Sequence, residues 1–267
     1  GKILALGSTA DIEKAHRGET TTMVDLTGRT LMPGFIDGHA HAQQFGTQAV
    51  GANLLAPPDG TVNTVDDLVD RLKTFAAGPD VGLTGWIFGL GYDDALLGRH
   101  PTREDLDKVS TTVPVMATHI SGHFAAVNTL GLKLIGYDAS TPDPEGGVIR
   151  READGKTPNG VLEELAAMPY MVRFLAPVTQ EGRDAFLKRG LEMAKSYGYT
   201  TTNEGRMFGP MHDIMADAAA RGLVDIDFIG WMDYTGRTAL DTGFSATYSN
   251  HYRLGGLKIT LDGSPQG

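Results

Sequence analysis

Residues 30–41 read TLMPGFIDGHAH, and the last seven of them, from Phe35 to His41, decide the class of protein. Pro33 and Gly34 make a turn, and FIDGHAH is expected to leave it as a short strand ending in histidines. Alternate residues of a strand share a face, about 7 Å apart from i to i+2. His39 and His41 would then lean onto one metal ion, each at about 2.1 Å. Asp37 lies on the same face one step earlier. Ile36, Gly38 and Ala40 take the other face, where small and apolar side chains suit packing. A bare His-x-His is a short motif, so two ordinary histidines that happen to alternate remain the alternative.

Other candidates lie further along the chain. In LKITLDGS, Leu257, Ile259 and Leu261 share one face, and Lys258, Thr260 and Asp262 share the other. An inward lysine is costly unless paired or modified. Burial lowers its pKa, and the neutral amine can react with carbon dioxide to give a carbamate that bridges two cations. Spacing alone favours an ordinary lysine, solvated or paired with Asp262. His119 and His123 flank a glycine turn at the end of the strand VPVMATHI, a usual place for a site. Glu204 follows YTTTN, Asp93 and Asp94 follow GLGY, and Asp233 ends DFIGWMD. Any of these carboxylates could act as a general base, with solvated surface acids as the alternative. His123, Glu204 and Asp93 are the candidates for holding substrate. His100, His212 and His251 receive no role.

Composition narrows the class. The chain of 267 residues is 41% hydrophobic and 21% charged, enough for a folded core and one or two domains. Its net charge of −10 argues against nucleic-acid and anionic-membrane partners. The absence of cysteine excludes disulfides, thiolate zinc, iron–sulfur clusters and cysteine nucleophiles, so any metal falls to His, Asp, Glu or modified Lys. No GxGxxG follows a strand, and Walker A, GxSxG and HExxH are absent. No apolar run is long enough to span a bilayer, no signal peptide is visible, and a cytoplasmic location is expected.

Residues 1–33 read as a small β unit. Between about 50 and 175 the pattern is mixed. Val65, Leu68, Val69, Leu72, Phe75 and Ala76 predict a helix capped by Thr64. A second helix starts at Thr102, and residues 138–160 read as loop or hairpin. From Thr179 the order becomes helix, strand YTTTN, helix 210–221, strand VDIDFIGWMDY and strand LKITLDG. That alternation argues for a parallel sheet or a β/α barrel.

TLMPGFIDGHAH resembles the first-strand signature of the amidohydrolase superfamily. The segments GYDDALLGRHPTREDLDKVSTTVPVMATHISGHFAAVNTLGLKLIGYD, GGVIRREADGKTPNGVLEE and LKITLDGSPQG resemble its family 3 group, the YtcJ-like and N-substituted-formamide-deformylase-like hydrolases. The resemblance is collinear over nearly the whole chain. It implies an α/β fold: a (β/α)8 TIM barrel, of which this sequence holds the first half. Residues 1–33 would be part of a small β-sandwich. Residues 34–267 would be the N-terminal half of the barrel, with an insertion at about 50–175.

The resemblance makes His39 and His41 metal ligands and Lys258 the carbamylated ligand of the fourth barrel strand. It brings His123 to the site from the insertion. The cofactor implied is one or two divalent ions, zinc first. The reaction is hydrolysis of an amide or N-formyl carbon–nitrogen bond by a metal-activated water. Two further histidines and a general-base aspartate of the family pattern have no counterpart after Lys258, and are expected beyond Gly267. The chain is accordingly expected to need the rest of the barrel as its partner, and neither to fold nor to hydrolyse alone. Homo-oligomers remain open, as do a non-catalytic regulatory or assembly protein and a hydrolase or deaminase of cyclic amides or amidines.

Overall fold

A computed structural model of the chain describes residues 2–167 and 179–259, which fall into two compact units, Gly1–Gly34 and Phe35–Gly267. In the first, Ser8 caps helix α1 (Thr9–His16) by accepting a hydrogen bond from the Asp11 amide at 3.2 Å. Residues 2–34 contain no strand among their described elements. A strand needs a partner ladder, and Ile3, Leu4, Val24 and Leu31 are exposed rather than packed in one.

The second unit starts with β1 (Phe35–Ile36) and α2 (Ala42–Val50). A lobe follows, with β2 (Ala52–Asn53), α3 (Val65–Ala76), α4 (Val81–Thr84), β3 (Ile87–Tyr92), α5 (Asp94–Leu97), α6 (Arg103–Asp107), β4 (Val115–His119), β5 (Phe124–Val127), α7 (Thr129–Ile135), β6 (Gly147–Arg151) and β7 (Pro158–Glu164). Its six strands form one sheet in the order β2-β3-β4-β5-β7-β6. The first three are parallel and the rest antiparallel. Phe88, Val127 and Leu162 fill one side of it, and Leu54, Leu68, Leu72 and Leu106 the other.

The chain then returns through α8 (Gln180–Ser196) to β8 (Tyr199–Met207), α9 (Gly209–Ala220) and β9 (Asp227–Asp233). A 3-10 turn (Tyr234–Ala239) and α10 (Leu240–Gly243) lead to β10 (Tyr252–Lys258). The second sheet has the order β1-β8-β9-β10 and is parallel throughout. Strand and helix alternate from α8 onward, so this mixed α/β chain carries the parallel sheet of a half barrel. Phe35 pairs in register with Tyr199, so the whole lobe is inserted between neighbouring strands. Met207, Met215, Phe228, Met232 and Leu254 form the core under this sheet.

The helix signals of the sequence are realised. Thr64 and Thr102 both close capping boxes, on Asp67 and Asp105. Thr179 caps α8, and Gly198 and Gly222 take positive φ after α8 and α9. The β6–β7 hairpin begins within residues 138–160 and runs on to Glu164. Among the described residues no helix is long and apolar enough to cross a membrane.

Candidate functional site

The parallel sheet gathers polar groups at the carboxyl ends of its strands, the edge where open α/β sheets and β/α barrels place their sites. His39 and His41 follow β1, Glu204 and Arg206 lie near the end of β8, Asp233 ends β9 and Lys258 ends β10.

His39 and His41 do not lie on a continuous strand. β1 stops at Ile36, because the Asp37 carboxylate turns back to accept the His39 amide at 3.0 Å. The turn is held by β8. Asn203 Nδ2 donates to the Asp37 carbonyl at 3.1 Å and to Asp37 Oδ2 at 2.9 Å, while Asn203 Oδ1 accepts the Ala40 amide at 3.1 Å. The Gly205 amide donates to the Ala40 carbonyl at 2.7 Å. The two imidazoles still come together, with ring centroids 5.5 Å apart at 77°. His41 also stands at the N-terminus of α2.

Glu204 is the partner that orients His41. It is only 2% exposed, and its Oε1 lies 2.8 Å from His41 Nδ1 and 3.1 Å from the Arg206 amide, which donates to it. A carboxylate that takes the proton of Nδ1 leaves Nε2 bare, as in carboxylate–histidine–metal arrangements. Gly205 completes the cradle. A β-carbon there would lie 2.6 Å from His39 Cε1 and 2.9 Å from the Ala40 oxygen, so only glycine lets the ring sit where it does. Two imidazoles, one of them oriented from behind by a buried carboxylate, are a donor set that fits a divalent ion. A cleft of about 440 Å³, lined by Asp37, His39, His41, Phe45, Gln48 and Thr202 among others, opens beside them.

Lys258 is half-buried, in register with Asp233, on the strand edge opposite β1. The Asp233 carboxylate is taken up by Arg206 Nε at 2.8 Å and by the Thr235 hydroxyl and amide at 2.6 and 2.9 Å. The Thr235 bonds, with Arg206 adding to them against the opposing effect of burial, hold its pKa down to about 2. Leu257 and Ile259, the apolar face of this strand in the sequence, are exposed here rather than packed. Thr260, Leu261 and Asp262 lie outside the described residues.

Asp93 and His123 belong to the lobe. Asp93 Oδ1 accepts the Ala95 amide at the start of α5, and the carboxylate lies with Asp94 and His119 at the ends of β3 and β4. His123 Nδ1 is held by both oxygens of Glu164, at 2.9 and 2.8 Å. Neither partner belongs to the His39–His41 turn. Sequence reasoning missed Asn203, whose bonds to Asp37 and Ala40 span more than 160 residues, and gave no role to His100, which packs on His119. The one signal for Asn203 is that an amide precedes Glu-Gly at a strand end.

The pattern of the amidohydrolase family matches residues 22–267. Protein LONG AFTER FAR-RED 3 of Arabidopsis thaliana is 29% identical over 280 aligned residues, covering 99% of this chain and 46% of that protein. N-substituted formamide deformylase of Arthrobacter pascens is 31% identical over 62% of this chain and 30% of its own length. The chain thus spans less than half of these relatives. Among solved structures, an uncharacterized metal-dependent hydrolase from Pyrococcus furiosus superposes with a TM-score of 0.61 at 22% identity, covering 87% of this chain and 45% of that one.

Proposed function

The chain belongs to the amidohydrolase family, and we propose that the protein is a metal-dependent hydrolase of carbon–nitrogen bonds other than peptide bonds, acting on a small amide or N-formyl substrate. The observation that carries this is the buried Glu204 carboxylate on Nδ1 of His41. A scaffold has no use for an imidazole oriented in this way from behind, whereas a metal ligand does.

In this reading His39 and His41 would hold one divalent ion, zinc first, with carbamylated Lys258 as a further ligand. The ion supplies Lewis acidity toward the substrate carbonyl and makes a water acidic enough to be ionised near neutral pH. Glu204 fixes the ring and tautomer of His41. Asp37 and Asn203 fix the turn that sets the spacing of the two rings. Arg206 and Thr235 occupy the Asp233 carboxylate, so the carboxylate beside Lys258 is already engaged. The cleft beside the histidines is large enough for a small amide and too small for a folded partner.

Elemental analysis of the purified protein tests the proposal, with and without His39→Ala, alongside hydrolysis of N-formyl and simple amide substrates. Zinc that is lost in the variant together with hydrolysis supports it. Protein that holds no metal after zinc and bicarbonate are supplied overturns it in favour of a non-catalytic member of the family. Turnover of cyclic amides alone would keep the metal chemistry and change the substrate class.

A further inference from the structure

The carboxyl ends of β3 and β4 in the lobe carry a second group of ligand-type side chains. Tyr92 and His119 are register partners across these parallel strands. Asp93 and Asp94 follow Tyr92 directly, and His100 folds back over them. The ligand atoms of Asp93, Asp94 and His119 all lie within 4.8 Å of one another. His119 Nε2 is 3.1 Å from Asp94 Oδ1, and His100 Nε2 is 3.5 Å from Asp94 Oδ2. Both imidazoles are enclosed: His100 is 9% exposed, and Tyr92, His100, His119 and Phe124 pack ring on ring.

One polar atom in this cage is left over. His119 Nε2 is buried and makes no hydrogen bond, although Asp94 Oδ1 stands 3.1 Å from it. A buried donor or acceptor left unmade costs about 1–3 kcal/mol, so its persistence calls for a ligand. The other nitrogen of each ring already has an oxygen partner. Ser121 Oγ lies 2.8 Å from His119 Nδ1, and the Tyr92 hydroxyl lies 3.0 Å from His100 Nδ1. Each can accept the Nδ1 proton and so free Nε2 to ligate. In the metal-free tautomer of His119 the Ser121 amide donates to Nδ1 instead, at 3.1 Å.

We propose that Asp93, Asp94 and His119, with His100 as a fourth donor, form a second divalent-metal site in the lobe, separate from the His39–His41 turn. Two imidazoles and two carboxylates are the mixed nitrogen and oxygen set that suits zinc or a neighbouring first-row ion better than calcium or magnesium. The site stands whether or not the first site holds a metal.

The test uses the whole chain carrying His39→Ala and His41→Ala, which removes the first candidate site. Zinc titrated into this protein is expected to bind once per chain. Long-range proton–nitrogen spectra are expected to show the His119 proton moving from Nε2 to Nδ1 as zinc is added. Adding Asp93→Asn, at a half-exposed position, is expected to weaken binding at least tenfold with an unchanged melting temperature in the presence of chelator. His119→Ala is expected to abolish binding, and if that variant does not fold, the Asp93→Asn and tautomer results decide. No zinc bound at micromolar free metal, or binding that neither Asp93→Asn nor the His119 tautomer follows, overturns the proposal.

Discussion

At the scale of the residue, one buried carboxylate sets the candidate site. Glu204 is almost wholly enclosed, and its bonds to His41 and to the Arg206 amide help to carry its charge. Glu204→Gln keeps the shape and loses the charge, and is expected to weaken metal binding about 10- to 100-fold, read by competition with a chromogenic chelator. Asp105 is a second buried acid with a structural duty. Burial alone would raise its pKa, but the Arg99 guanidinium at 2.6 and 3.0 Å and the Thr102 amide and hydroxyl outweigh that and bring it far below the carboxylate range. A depressed folded-state pKa means stability that is complete above about pH 4, the unfolded value, and is lost as pH falls toward the folded one. Asp105→Asn is therefore expected to cost roughly 1–3 kcal/mol at neutral pH and to flatten the acid limb of a melting-temperature profile. Wild-type and variant profiles that run parallel below pH 4 would refute this.

At the scale of the element, the junction between α2 and α8 is a close approach of two backbones. A β-carbon at Gly190 would lie 2.7 Å from the Gly46 nitrogen, and one at Gly46 would lie 2.5 Å from the Phe186 carbonyl oxygen. Backbone meets backbone here, with no side chain able to give way. Gly190→Ala is expected to destabilise the protein by about 1–3 kcal/mol, outweighing its gain in helix propensity, as measured by urea denaturation. Helices such as α3, α6 and α8 were legible in the sequence because their signals are local: a threonine hydroxyl at the start, an acid three residues on, or a glycine just past the end. The β1 turn was not. FIDGHAH alternates like a strand, yet Asp37 caps its own chain, and the bonds that fix this come from Asn203 across the whole lobe. Alternation reports which faces a strand would have, whereas a hydrogen bond to a residue 166 positions away leaves no mark on periodicity. The spacing of His39 and His41 proved legible only as proximity, not as a shared strand face.

At the scale of the whole molecule, the parallel sheet ends on β1 at one side and β10 at the other among the described residues. Ile36 is 73% exposed and Ile259 is 62% exposed, and among the described residues no strand pairs beyond β1 or β10. Such edges recruit strands from other molecules. The chain expressed by itself is expected to associate with concentration in light scattering, and Ile36→Lys is expected to reduce this. A wild-type chain that stays monomeric up to high concentration would remove the argument. The half-barrel sheet could be read from the order of helices and strands, because each βα unit is contiguous in sequence. The lobe's own sheet could not, since its order β2-β3-β4-β5-β7-β6 mixes parallel crossovers with hairpins that periodicity cannot distinguish.

The glycine contact between α2 and α8 also has a mechanical meaning. Among the described residues α2 precedes the lobe and α8 follows it, and His41 sits at the start of α2. With no compressible side chain at the crossing, a displacement of α8 has to be absorbed by α2, and α2 begins at the imidazole that faces the cleft. The crossing would act as a fulcrum: a tilt of the lobe would be passed through α2 to the imidazole of His41 at its start.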